Sequence, residues 1–245
     1  MTDEFATPLR KSDGWAIAFA MLFPSLLTYV YFVLLAENAA IFQQVSYGFG
    51  KAIQFAFPIV WWLGAQSRRL EFSRPRGAGV PSGVAFGLLV VATMWGLYHG
   101  VLKPAGVFEA VGPEVREKLS GFQLNSPVKY FALGTFYSLV HSLMEEYYWR
   151  WFVFAQLRRI LPPWTAIWVS SAGFMAHHVI VLAIYFGWSS PWTLLFSLAV
   201  GVGGLVWGWL YHRHGSLYAP WLSHLLVDAG IYIVGYDLVR DLMGG

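Results

Sequence analysis

A chain of 245 residues with 57% hydrophobic side chains and only 12% charged ones, at a mean hydropathy of +0.53, falls outside the soluble class and reads as a polytopic membrane protein. Its formal charge of +3 does not point to nucleic acid, because the basic residues lie mostly in short segments between apolar spans, where they act as topology signals. Cysteine is absent, which excludes disulfides and thiolate metal sites and leaves His and carboxylate as the donors for any metal.

Residues 1–14 are polar and lack the short apolar run and small-residue cleavage site of a secretory signal, so the first apolar segment is expected to be a retained anchor. About 20 apolar residues are needed to cross the hydrocarbon core as a helix. On that criterion the sequence predicts seven spans, near 15–36, 50–65, 82–102, 130–151, 164–188, 191–211 and 216–236. Lys51 and Pro58 interrupt the second. With the N-terminus inside, the cytoplasmic segments hold Arg10, Lys11, Arg68, Arg69, Arg74, Arg76, Arg158, Arg159 and Arg213, and the external ones hold Lys103, Arg116, Lys118, Lys129 and Arg240. The positive-inside rule therefore predicts a cytoplasmic N-terminus and an external C-terminus.

The longest connection, 103–129, carries mixed charge beside Val115, Leu119 and Phe122, a pattern that fits an interfacial amphipathic helix. It is too short for a core of its own. The expected organisation is one integrated membrane domain, with N-terminal spans and the amphipathic loop over 1–129 and a C-terminal membrane core over 130–238. On the sixth span Ser197, Gly201, Gly204 and Gly208 recur at helical steps, a pattern that predicts close helix packing.

Three apolar spans carry ionisable residues in their middles. The fourth holds Glu145, Glu146 and Arg150, the fifth His177 and His178, and the seventh His224 and Asp228. A central Asp, Lys or Arg costs roughly 2.5 to 3.5 kcal/mol to insert, so such a set implies a protected interior site. Adjacent residues on a helix point about 100° apart. Arg150 lies four residues after Glu146, the favourable spacing for a pair, whereas it points away from Glu145. Glu146 is thus the expected structural partner and Glu145 the carboxylate left for chemistry. His177 and His178 are not expected to aim at one point together. His224 and Asp228, four apart on one face, can reach one ion, or Asp228 can orient the imidazole. His141, one turn before Glu145, reads as a packing histidine or an orienting group.

Glu145, one of the two histidines, His224 and Asp228 form a donor set suited to a zinc-like divalent ion and its water. Metal-assisted hydrolysis is the natural chemistry, with Glu145 taking a proton from water and passing it to the leaving amine. No His-Glu-x-x-His helix, Gly-x-Gly-Asp or Gly-x-Ser-Gly segment occurs, so the other intramembrane protease patterns are missing.

At these residues the chain resembles the CAAX-protease and bacteriocin-processing family of intramembrane metalloproteases, which includes the Ras-converting CAAX endopeptidases. Glu145-Glu146-x-x-x-Arg150, Phe174-x-x-x-His178 and His224-x-x-x-Asp228 fit its three motifs in order. The resemblance implies an all-helical membrane core in which Glu145 activates water, Glu146 and Arg150 support it, and His178, His224 and Asp228 complete the site and hold a divalent metal such as zinc. It selects His178 over His177 as the motif position, and Asp228 in place of Asn favours an ionic metal ligand. The expected partners are the bilayer and a membrane-anchored protein or peptide, cut near its C-terminus, in a bacterial plasma membrane. Two other readings use the same polar residues: a non-catalytic scaffold or immunity protein, and a proton or ion path, the latter disfavoured because the motifs cluster in one half of the chain.

Overall fold

The computed structural model describes residues 10–67, 77, 79–109 and 111–240, and all of its regular elements are helical. The basic residues Arg68, Arg69, Arg74 and Arg76, expected on the cytoplasmic side, lie outside the described residues. In chain order the elements are α1 (Lys11–Tyr29, extended by a π turn at Val30–Leu34), α2 (Ala40–Val60, with a π turn at Trp61–Ala65), α3 (Val80–Leu97, with a π turn at Tyr98–Leu102) and α4 (Val111–Gly121). The composite helix α5 follows. It runs through Pro127–Phe136, a π turn Tyr137–His141, an α segment Ser142–Glu146, a π segment Tyr147–Phe154 and a last α turn Ala155–Leu157. Then come α6 (Pro163–Phe186), α7 (Pro191–His214) and α8 (Tyr218–Val239).

The ends of these helices follow local chemistry. Proline opens α5, α6 and α7 at a position where the missing N–H costs nothing. Ser190 caps α7 by accepting from the Trp192 N–H at 3.2 Å. Gly215, at φ +62°, ends the same helix in the left-handed conformation that glycine tolerates, its N–H donating to Tyr211 O at 2.8 Å.

Five helices among the described residues are long and apolar enough to cross a membrane, Lys11–Leu34, Val80–Leu102, Pro163–Phe186, Pro191–His214 and Tyr218–Val239. Their apolar side chains are widely exposed, Leu22 at 68%, Trp168 at 62% and Leu194 at 63%. In water such surfaces would be an association hazard, whereas against lipid they are the expected face. The chain is an all-α, polytopic integral membrane protein. The expected spans at 50–65 and 130–151 fall on α2 and α5, which are continuous helices. Both are more polar than the other five, because Lys51 and Gln54 interrupt one and Glu145, Glu146 and Arg150 the other.

The described contacts group into two compact units, residues 1–76 with 145–217 and residues 77–144 with 218–245. In the first, α6 and α7 pack antiparallel through small residues. A side chain at Gly201, Gly204 or Gly208 would meet Met175, Ser171 or Ile167 respectively, one helical turn apart on α6. This is the close packing that the small-residue spacing predicts. At one end of this unit a polar cluster ties three helix termini: Asp13 of α1 pairs with Arg159 at 3.0 Å, Gln66 exchanges hydrogen bonds with Gln156, and Arg10 donates to Ala65 O.

In the second unit α3 and α8 run parallel and nearly touch. A Cβ at Gly83 would lie 2.2 Å from Ala219 O, and one at Gly87 3.0 Å from Ser223 O. Further along the same pair, Gly230 faces Val91 and Met94. The amphipathic connection does form a helix, α4, whose Val115 and Leu119 pack on Tyr130 and Val239 while Arg116 donates to Leu238 O. Tyr130 donates its hydroxyl proton to Tyr232 O at 2.9 Å, joining the start of α5 to α8.

Candidate active site

The α segment Ser142–Glu146 sits between two π-helical stretches. Wider π turns inside an α-helix are rare and concentrate at functional sites, since they re-aim side chains without ending the helix. Here they bracket Glu145 and Glu146, both inaccessible, at 3% and 0% exposure.

The two carboxylates have different partners, as their helical phases predict. Glu146 Oε1 lies 3.1 Å from Arg150 Nη1. The guanidinium is fixed from the other sides as well. Its Nη2 donates to Gly204 O of α7 at 3.2 Å, and its carbon lies 4.8 Å from the Phe174 ring and 5.4 Å from the Trp207 ring. Arginine suits this position because its planar fork binds carboxylate, carbonyl and aromatic faces together. The pair thereby locks α5 to α6 and α7.

Glu145 turns instead toward α6. His177 Nε2 is 3.6 Å from Glu145 Oε1, too long for a strong hydrogen bond. The His177 ring is buried and stacks on Trp149 at a centroid distance of 5.9 Å and an interplanar angle of 3°. His178 is half-buried, with Nδ1 2.9 Å from Phe174 O. Because a carbonyl only accepts, Nδ1 carries the proton and Nε2 the lone pair, the tautomer a metal-binding imidazole needs.

One carboxylate oxygen of Glu145 and one nitrogen each of His177 and His178 lie within 4.8 Å of one another. The expectation that the adjacent imidazoles cannot serve one point is therefore corrected. Their rings approach to 4.1 Å, tilted by 43°, so side-chain reach overcomes the angle between their Cα–Cβ directions. Two imidazoles and a carboxylate are donor types that a divalent ion such as zinc accepts. Ligands about 2.1 Å from a tetrahedral ion stand about 3.4 Å from each other, close to the observed 3.6 Å between His177 and Glu145.

In the other unit His224 is buried on α8, and its Nε2 lies 3.6 Å from Asp228 Oδ1, one turn on. Ser223 beside it is fully buried. His141 ends the first π turn of α5 with its ring 4.8 Å from Tyr137. Motif position favoured His178 over His177, and the geometry brings both to Glu145. The signal available in the sequence was the pair itself, two imidazoles where apolar residues belong.

Residues 126–230 match the family described as type II CAAX prenyl endopeptidase Rce1-like, a stretch that begins just ahead of α5 and ends within α8. No curated protein and no solved structure matches the chain. The matched stretch contains all three motifs, Glu145-Glu146-x-x-x-Arg150, Phe174-x-x-x-His178 and His224-x-x-x-Asp228. Over this stretch the chain is similar to the CAAX protease family.

Proposed function

We propose that the protein is an intramembrane metal-dependent endopeptidase of a bacterial plasma membrane, cutting a membrane-anchored protein or peptide near its C-terminus in CAAX-type processing or protein sorting. The observation that carries this reading is the grouping of Glu145, His177 and His178 within the stretch that matches a protease-family model. His177 and His178 are the imidazole donors for a divalent ion of the zinc type, and His224 and Asp228, from the third motif, are proposed as further donors. Such an ion supplies a lowered pKa for bound water and polarises the scissile carbonyl.

The chain's own residues do the rest. Glu145 takes one proton from the attacking water as the water oxygen bonds to the carbonyl carbon. When the C–N bond breaks, Glu145 returns that proton to the leaving amine. Trp149 holds the His177 ring in place, and the Phe174 carbonyl holds the His178 tautomer. Glu146 and Arg150 keep the α5 segment rigid against α6 and α7, which fixes Glu145 to within the tolerance that proton transfer requires.

Glu145→Ala and His224→Ala should each lower cleavage by about 10²-fold or more, while the proteins remain folded and inserted. Membrane-protein C-termini compared by proteomics between cells with wild-type and Glu145→Ala protein should differ in a common set, naming the substrate. Unchanged C-termini together with retained cleavage by the variants would sink the assignment.

A further inference from the structure

In the first unit, α2 carries one charged residue that the proposed reaction leaves unused. Lys51 lies in the interior of that helix, eleven residues from Ala40 and fourteen from Ala65. At ~1.5 Å per residue its Cα is about 16 Å from one end and about 21 Å from the other, deeper than lipid headgroups reach. Its ammonium rests 5.4 Å from the ring centroids of both Tyr47 and Phe55, one turn to either side, and makes no hydrogen bond or ion pair among the described residues. Phe55, one of those two rings, meets α5 just beyond Glu145: its carbonyl accepts from the Tyr147 hydroxyl at 3.3 Å, and its ring lies 6.2 Å from that of Tyr148. Three residues further along α2, Gln54 is fully buried, and neither its Oε1 nor its Nε2 has a hydrogen-bond partner among the described residues.

Buried polar groups are nearly always satisfied, so the two unpartnered amide atoms of Gln54 call for a partner absent from the described residues. Lysine offers donors only, so its ligand is an acceptor, and the positive charge selects an anionic one. A peptide whose scissile carbonyl is at Glu145 advances ~3.3–3.6 Å per extended residue. Two or three residues beyond the cut, its terminal carboxylate would stand about 7 to 10 Å from Glu145. A cation on α2, the helix whose Phe55 meets Tyr147 and Tyr148 beside Glu145, is placed to receive it.

We infer that Lys51 is a specificity-determining residue that receives the free C-terminal carboxylate of the peptide, with Gln54 supplying a further polar contact on the same helix. The inference rests on the proposed proteolytic reading for the identity of the ligand. It assigns the preference for a chain end to α2, outside the stretch that matches the family.

The test is binding of a fluorescent prenylated peptide of the Cys-aliphatic-aliphatic-Ser type, with a free C-terminus or as its C-terminal amide, to the full-length Glu145→Gln protein in nanodiscs. The carboxylate form should bind about 10- to 100-fold more tightly than the amide, as expected for a charge-assisted hydrogen bond. Adding Lys51→Met should bring the two forms to within about threefold by weakening the carboxylate form alone, and Lys51→Arg should restore most of the preference. Unchanged amide binding reports that the Met variant is folded. A preference that survives Lys51→Met, or no preference in the parent protein, overturns the inference. If wild-type protein cleaves neither form while the Lys51-dependent preference stands, the proteolytic reading falls and the carboxylate site remains.

Discussion

Glu146 and Arg150 are a buried ion pair in which each charge is compensated mainly by the other. Removing one partner strands a charge, which costs about 3 to 5 kcal/mol, whereas removing both with apolar or neutral groups costs much less. Arg150→Met should therefore destabilise the protein by that amount in denaturant titrations in detergent, and Glu146→Gln added to it should recover part of the loss. Additive losses would show that the two side chains are not coupled. For His177 and His178 the readout is metal rather than stability. Losing a supporting partner of a ligand weakens metal binding by about 10- to 100-fold, and losing a ligand should do at least as much. Zinc titration of His177→Ala and His178→Ala is expected to show that loss for both; full affinity in His177→Ala would return the site to the motif histidine alone.

Helix packing is decided by backbone proximity at a few glycines. On α3, Gly83 meets the Ala219 carbonyl of α8 so closely that any Cβ must push the helices apart, while Gly96 has nothing within 4 Å. Gly83→Ala should cost about 1 to 3 kcal/mol through overpacking. Gly96→Ala should be neutral or gain up to about 1 kcal/mol from helix propensity. Thermal melts of the two variants check this, and equal melting temperatures would contradict the observed crossing. On α5 the π stretches flanking Ser142–Glu146 have a different consequence. They set the orientation of Glu145 and Glu146 on a helix whose sequence shows no proline or glycine between Thr135 and Leu161 to announce a distortion.

For the whole molecule the membrane crossings follow from direction as well as hydropathy. Since α3 and α8 pack parallel, a chain that crosses in both must cross an odd number of times between them. With α6 and α7 as two of those crossings, α5 is required as the third despite its three charged residues. Adding α1 and α2 predicts seven crossings, which would put Lys11 and Arg240 on opposite faces. Because the chain has no cysteine, Lys11→Cys and Arg240→Cys can each be labelled with a membrane-impermeant maleimide. Arg240→Cys should react in intact cells and Lys11→Cys only after lysis. Reaction of both from the same side would refute the count.

Much of this was legible in the sequence because burying charge in a membrane is costly: residues such as Glu145, Arg150, His178, His224 and Asp228 stand out wherever they interrupt an apolar span. The pairing of Arg150 with Glu146 was also legible, since it depends only on the i,i+4 geometry of one helix. The membership of His177 in the Glu145 group, the π turns around that carboxylate and the setting of Lys51 were not. Each depends on how side chains from different helices, or successive hydrogen bonds along one strained helix, settle against one another. Residue spacing fixes direction along a single element, and only tertiary packing decides which atoms meet.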